Sequence, residues 1–183
     1  MPLSFRPPKT PSSRHAWAAI CGVLRRHIRL GRHTMRRRDW LLLFASYAGA
    51  PDGLDPIRFQ KGLFLFARRA RIPERSKYPF KPYNYGPMST GLYTDLDRLV
   101  DEGLLERASV PGKQWSRYKP NMATFREGRR ILKQTEREDL LDAARELYEI
   151  KQDVSRMGFN ELLERVYSEY PEYAVNSVFR KSA

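Results

Sequence analysis

From Trp40 the apolar positions crowd together: Trp40, Leu41, Leu42, Leu43, Phe44 and Tyr47 are too dense for a surface helix and predict one inside a core. Gly49, Pro51 and Gly53 break it, and Asp55-Pro56 opens the next helix as an acidic cap with proline at the first helical position. Along this second helix Phe59, Leu63, Phe66, Ala67 and Ala70 recur at helical spacing with Arg58, Lys61, Arg68 and Arg69 between them, which predicts one buried face. Residues 71–88 change character. Pro73, Pro79, Pro82 and Pro87 punctuate Tyr78, Phe80, Tyr83 and Tyr85, so an extended loop or irregular edge strand is expected, ending in a turn at Gly86-Pro87. Ser89 or Thr90 then caps a third helix with Leu92, Tyr93, Leu96, Leu99 and Val100 on its buried side, stopped by Gly103. Leu104, Leu105 and Arg107, the turn Val110-Pro111-Gly112-Lys113, and Trp115 and Tyr118 beyond it read as a two-stranded hairpin.

Helix, helix, helix, hairpin is the order of a winged-helix domain, with the hairpin as the wing. After Pro120 two further stripes follow, Leu140, Leu141, Ala144, Leu147 and Tyr148, then Phe159, Leu162, Leu163, Val166, Tyr167 and Tyr170, separated by Gly158. Each stripe needs a surface to cover, either on its own chain or on a second copy in a homodimer; packing within the chain is the commoner arrangement. The expected fold class is mainly α with a small β-hairpin: a winged-helix domain over 36–122 and a C-terminal helical extension over 123–183 packed on it. Residues 1–35 are expected to form a basic leader outside that fold.

Charge sharpens this division. The chain has 183 residues and a net charge of +13, and its first 38 residues hold ten of the 34 Lys and Arg but none of the 21 Asp and Glu. The part that folds is therefore close to neutral. In the leader Trp17, Ile20, Leu24 and Ile28 fit a short amphipathic helix after an early run of prolines. Three readings of it stay open: a basic arm for nucleic acid, a targeting peptide, or a coding start placed too early, with Met35 as the true first residue. No apolar run is long enough to span a bilayer, and the single Cys21 cannot form an internal disulfide, so a cytoplasmic location is the default.

Residues 39–183 contain no histidine and no cysteine. Cys/His zinc sites, Ser-His-Asp and Cys-His arrangements and histidine general bases are thereby excluded from the folded part. No glycine-rich phosphate loop is present, and no cofactor is implied. Glu149-Ile150-Lys151 has a spacing that metal-dependent nucleases use on a strand, but here it falls inside a helical pattern. The expectation is a binding protein and not an enzyme.

Leu54-Asp55-Pro56-Ile57-Arg58-Phe59-Gln60-Lys61, Phe64-Leu65-Phe66-Ala67, Tyr83-Asn84-Tyr85-Gly86-Pro87-Met88-Ser89 and Leu99-Val100-Asp101-Glu102-Gly103-Leu104 together resemble a widespread group of uncharacterised bacterial winged-helix proteins. The ending from Val166-Tyr167 through Tyr170-Pro171-Glu172-Tyr173-Ala174 looks like theirs too. More distantly, Gln60-Lys61 and Tyr85-Gly86-Pro87 are similar to the Panacea (SocA-like) antitoxin domain, although Gly62 stands where that pattern usually has a bulky apolar residue. The resemblance covers roughly residues 36–175. It implies the fold, and through the antitoxin likeness it suggests neutralisation of a partner protein.

Two functions follow. One is a winged-helix DNA-binding transcriptional regulator that holds phosphates through Arg107, Lys113, Arg117 and Lys119 on the wing and Arg68, Arg69 and Arg71 nearby. The other is an antitoxin-like or adaptor module that binds a protein through the aromatic loop, with Lys81, Tyr83 and Tyr85 as contacts. The third helix divides them. Its Asp95, Asp97, Asp101 and Glu102 outnumber its lone Arg98, and such a charge opposes a polyanion in the place where a reading helix would sit.

Overall fold

Asp55 and Pro56 start the central helix as their chemistry requires: the Asp55 carboxylate accepts from the Arg58 backbone N–H at 2.9 Å, and proline occupies the first turn, where no N–H is needed. In the computed structural model, which describes residues 34–135 and 137–179, this helix is α2 (Pro56–Arg69). The other elements are α1 (Arg37–Ser46), a 3-10 turn (Glu74–Ser76), β1 (Lys81–Tyr83), β2 (Gly86–Met88), α3 (Thr90–Asp101), β3 (Leu105–Ser109), β4 (Ser116–Pro120), α4 (Met122–Gln134), α5 (Glu138–Arg156), α6 (Phe159–Glu169) and a closing 3-10 turn (Pro171–Tyr173). The protein is mainly helical with small antiparallel hairpins. The expected leader helix lies outside the described residues, but Met35, expected in the leader, belongs to the fold: it is buried, and its carbonyl accepts from the Ser76 hydroxyl at 2.7 Å. Among the described residues, no helix is long and apolar enough to cross a membrane.

The expectation of one buried face on α2 is wrong. Every residue from Phe59 to Phe66 is buried, because α5 and α6, β2 and β4 pack around the helix. Lys61, placed by spacing among the exposed residues, is inside with the rest. Gly62 is small for a reason: a Cβ there would drive into the Phe44 ring of α1. Tyr47, directly after α1, donates its hydroxyl to the Ala144 carbonyl at 3.0 Å, and Arg58 donates to the carbonyls of Val154 at 3.1 Å and Met157 at 2.6 Å. Both stripes of the C-terminal third, Leu140, Ala144 and Leu147 on α5 and Leu162, Leu163 and Val166 on α6, are buried in this same core.

That third contains three helices where two stripes were expected. The extra one, α4, begins at Asn121, whose side chain accepts from the N–H groups of Ala123 and Thr124. It buries only Thr124, Gly128 and Ile131, and Gly128 lets it close on Ser46 of α1. The helix is nonetheless amphipathic, but with Thr124 and Gly128 on its buried face the segregation comes chiefly from its charged side and not from an apolar stripe.

The hairpin β3–β4 pairs Leu105 with Pro120 through to Ser109 with Ser116. Its turn has Pro111 followed by Gly112 at φ +70°, with the Lys113 N–H on the Val110 carbonyl at 3.0 Å, as a type II turn demands. A bridge between Leu54 and Tyr118 ties β4 to the segment before α2. Residues 71–88 hold a second hairpin. Its turn is at Asn84-Tyr85, while Gly86 and Pro87, expected to make the turn, lie in β2, with Gly86 at φ +81° restoring the strand direction.

Candidate functional site

The motif residues Gln60-Lys61 and Pro87-Met88-Ser89 meet. The Gln60 side-chain amide donates to the Ser89 carbonyl and accepts from its N–H, both at 2.9 Å, and Lys61 Nζ donates to the Pro87 carbonyl at 2.9 Å. Two consecutive side chains of α2 thus fasten the strand that leads into α3. Lys61 has no carboxylate partner among the described residues, and burial pulls its pKa down to about 7. Lys151, on the far side of the core, lies 4.9 Å from the Phe44 ring centroid and 5.8 Å from that of Phe59; burial lowers it likewise to about 7.

In front of Lys61 opens a cleft of about 500 Å³. The start of α2 (Asp55, Pro56, Ile57) forms one side, the β1–β2 hairpin with Tyr83 and Tyr85 another, and the tip of β3–β4 with Lys113, Trp115 and Arg117 a third. Tyr93 and Phe159 complete it. Tyr83 is 51% exposed, Tyr85 44%, Trp115 39% and Phe159 38%, so these rings face outward. Tyr85 and Phe159 meet edge to face at 5.9 Å. The aromatic loop therefore divides: Tyr78 and Phe80 pack inward, Tyr78 on Asp95 and Phe80 on Phe64, while Tyr83 and Tyr85 form a wall. Lys81 is exposed on β1 and does not line the cleft.

The seven basic residues expected to meet phosphate split in two. Arg69 is bonded to Glu169 at 2.7 Å, Arg68 lies 3.8 Å from Glu172 and over the Tyr170 ring, and Arg107 is held by Asp97. Arg71, Lys113, Arg117 and Lys119 have no ion pair with a described residue; Lys113 and Arg117 line the cleft, and Lys119 is exposed. Arg117 and Lys119 alternate with the buried Tyr118 along β4, so they share its opposite face, and Trp115 stands just before the strand.

The acidic residues of α3 do structural work. Asp95 is 3% exposed and receives the Tyr78 hydroxyl at 2.9 Å and Arg37 at 3.3 Å, with Arg98 at 3.5 Å. The Tyr78 phenol is pushed far up by burial and by the neighbouring Asp95 charge. Asp97 takes Arg107 and the Tyr118 hydroxyl, and Glu102 takes Arg38. What the sequence presents as a repulsive surface is largely neutralised by arginines from α1 and the hairpin.

Sequence reasoning missed Trp115, Tyr93 and Phe159 as cleft walls. The alternation of Trp115, Arg117 and Lys119 was a readable signal for the first. Phe159 carried no such signal: it continues the apolar stripe of α6 and was expected in the core, but it stands at the helix start where the stripe runs out of covering surface. Glu149-Ile150-Lys151 lies mid-way along α5, with Ile150 and Lys151 buried, so its spacing is not that of a strand. Among the described residues no cluster of His, Cys, Asp and Glu could hold a metal ion. No family model, no curated protein and no solved structure matches the chain.

Proposed function

We propose that the protein is a nucleic-acid-binding regulator of winged-helix type, whose contact is made by the β3–β4 hairpin and not by the third helix. One observation carries this reading: Lys113, Arg117 and Lys119 project from that hairpin without an ion pair to any described residue, whereas the cations elsewhere in the expected set are largely spent on carboxylates. Lysines and arginines left unpaired on an exposed hairpin keep their full attraction for phosphate. The third helix adds little, since its Arg98 is turned to Asp95 and its exposed Asp101 has no ion pair with a described residue. The test is duplex DNA binding by the full chain across a salt series, against a variant with Lys113→Glu, Arg117→Glu and Lys119→Glu. Affinity should fall at least tenfold in the variant and the slope of log affinity against log salt should flatten by about three phosphates' worth. Equal affinity and equal slope would overturn the assignment of DNA contact to the hairpin.

A second reading, an antitoxin-like or adaptor module, is favoured by the outward-facing rings of Tyr83, Tyr85, Trp115 and Phe159, a composition found at protein hot spots. It becomes the better one if the charge-reversed hairpin binds DNA as well as the native one.

A further inference from the structure

Five aromatic side chains from separate parts of the chain, Tyr83, Tyr85, Tyr93, Trp115 and Phe159, converge on the one cleft. A packed core would bury such rings; here four of them remain more than a third exposed while being held by the elements that carry them. The cleft's charge is one-sided. Among the described residues its only carboxylate, Asp55, is already occupied by the Arg58 guanidinium and backbone N–H, and Arg58 itself is tied to the carbonyls of Val154 and Met157. Lys61 is engaged with Pro87 at the floor. That leaves Lys113 and Arg117 at the rim, directly beside the rings, with Lys119 continuing along the same face of β4. An occupant must therefore offer flat apolar faces together with repeated negative charge.

We propose that the cleft receives an unstacked base of a single-stranded nucleic acid, with the flanking phosphates held by Lys113 and Arg117. A volume of about 500 Å³ is ample for one base and its sugar. Residues i and i+2 of a strand stand about 6.6 Å apart, a spacing on the scale of successive phosphates in an extended strand, so Arg117 and Lys119 can follow a backbone leaving the cleft. Base stacking on aromatic rings is tolerant of sequence and unavailable to a base paired inside a duplex. The protein would then prefer unpaired or melted segments. This inference rests on the nucleic-acid reading above but adds the strandedness, which the hairpin cations alone do not specify.

The experiment measures anisotropy of a labelled mixed-sequence single strand and of its duplex with the full chain, using Tyr83→Ala, Trp115→Ala and Trp115→Phe. Thermal unfolding of each variant checks that the fold is kept, as expected for exposed positions. Both alanine variants should bind the single strand about ten- to hundredfold more weakly with duplex affinity unchanged, and Trp115→Phe, which keeps a flat face, should bind nearly as the native chain does. If the alanine variants bind the single strand as tightly as the native protein while the charge-reversed hairpin still weakens DNA binding, the cleft proposal fails and the hairpin reading stands. Loss of duplex and single-strand affinity in equal measure would also overturn it. If neither rings nor hairpin cations matter, both readings fall and an acidic protein partner is the remaining occupant.

Discussion

Two buried lysines set the most unusual physical property of this protein. Lys61 and Lys151 have pKa values lowered to about 7 by burial, whereas in the unfolded chain they return to about 10.4. Between those values the unfolded chain binds protons that the folded one does not, so stability rises with pH across that window, by up to about 1.4 kcal/mol per pH unit for each lysine. Above about pH 10 the buried phenols oppose the trend, since Tyr78 and Tyr118 hold their protons more tightly when folded. Urea unfolding should therefore show a higher midpoint at pH 9 than at pH 7, and Lys151→Met should be more stable than the native chain at pH 7 and reduce the pH slope. A midpoint that stays level or falls between pH 7 and 9 would contradict the burial of these amines. Gly62 supplies a second prediction at this scale. Gly62→Ala places a methyl group into the Phe44 ring, and overpacking of this kind costs about 1–3 kcal/mol in an unfolding titration.

At the scale of elements, α3 is fastened by its own acidity. Asp95 joins α3 to the aromatic loop through the buried Tyr78 and to α1 through Arg37, whose guanidinium reaches it from the surface. Asp95→Ala strands the Tyr78 hydroxyl, and an expected loss of about 1–3 kcal/mol should appear in the same titration. The pair between Arg107 and Asp97 looks similar on paper but is about half exposed on both sides, so Arg107→Ala should change stability by less than about 1 kcal/mol. Because Arg107 is occupied, its removal should also weaken DNA binding less than removal of Arg117; the reverse order in a binding titration would argue that the ion pair opens on contact. The β3–β4 hairpin is anchored by the Leu54–Tyr118 bridge, with Gly53 at φ +79° beneath it, where an added Cβ would come within 2.5 Å of the Tyr118 carbonyl.

Considered as a whole, the described chain has a core to which its first and last thirds both contribute. Trp40 and Phe44 of α1, Tyr47 directly after it, and Phe59 and Leu63 of α2 are covered by Leu147, Ile150 and Val154 of α5, and no hydrophobic layer of comparable size remains without the C-terminal helices. A chain ended at Pro120 is therefore expected to be unfolded, showing neither cooperative thermal unfolding nor dispersed amide resonances. A cooperative transition from that fragment would show that the first three helices and the hairpin are self-sufficient. The same closure positions the cleft, since Phe159 at the start of α6 and Tyr83 and Tyr85 from the β1–β2 hairpin are brought to the hairpin tip only when the C-terminal third is in place.

The order of elements was legible without a structure because each is written in local terms: the Asp55-Pro56 cap, the helical recurrence of Leu92, Leu96 and Leu99, and the Pro111-Gly112 turn depend on neighbours a few residues away. So was the candidate surface on the β3–β4 hairpin, whose cations alternate with the buried Tyr118. Tertiary structure decided what local pattern cannot encode. α2 is enclosed on nearly every side, which hides Lys61 and explains Gly62; α4 packs through small and polar residues, Thr124 and Gly128 beside Ile131; and long-range ion pairs turn the acidity of α3 from a surface property into an internal fastening. The cleft itself belongs wholly to this second class, because its walls come from segments up to about a hundred residues apart, and a set of rings becomes a site only when the chain folds them onto one opening.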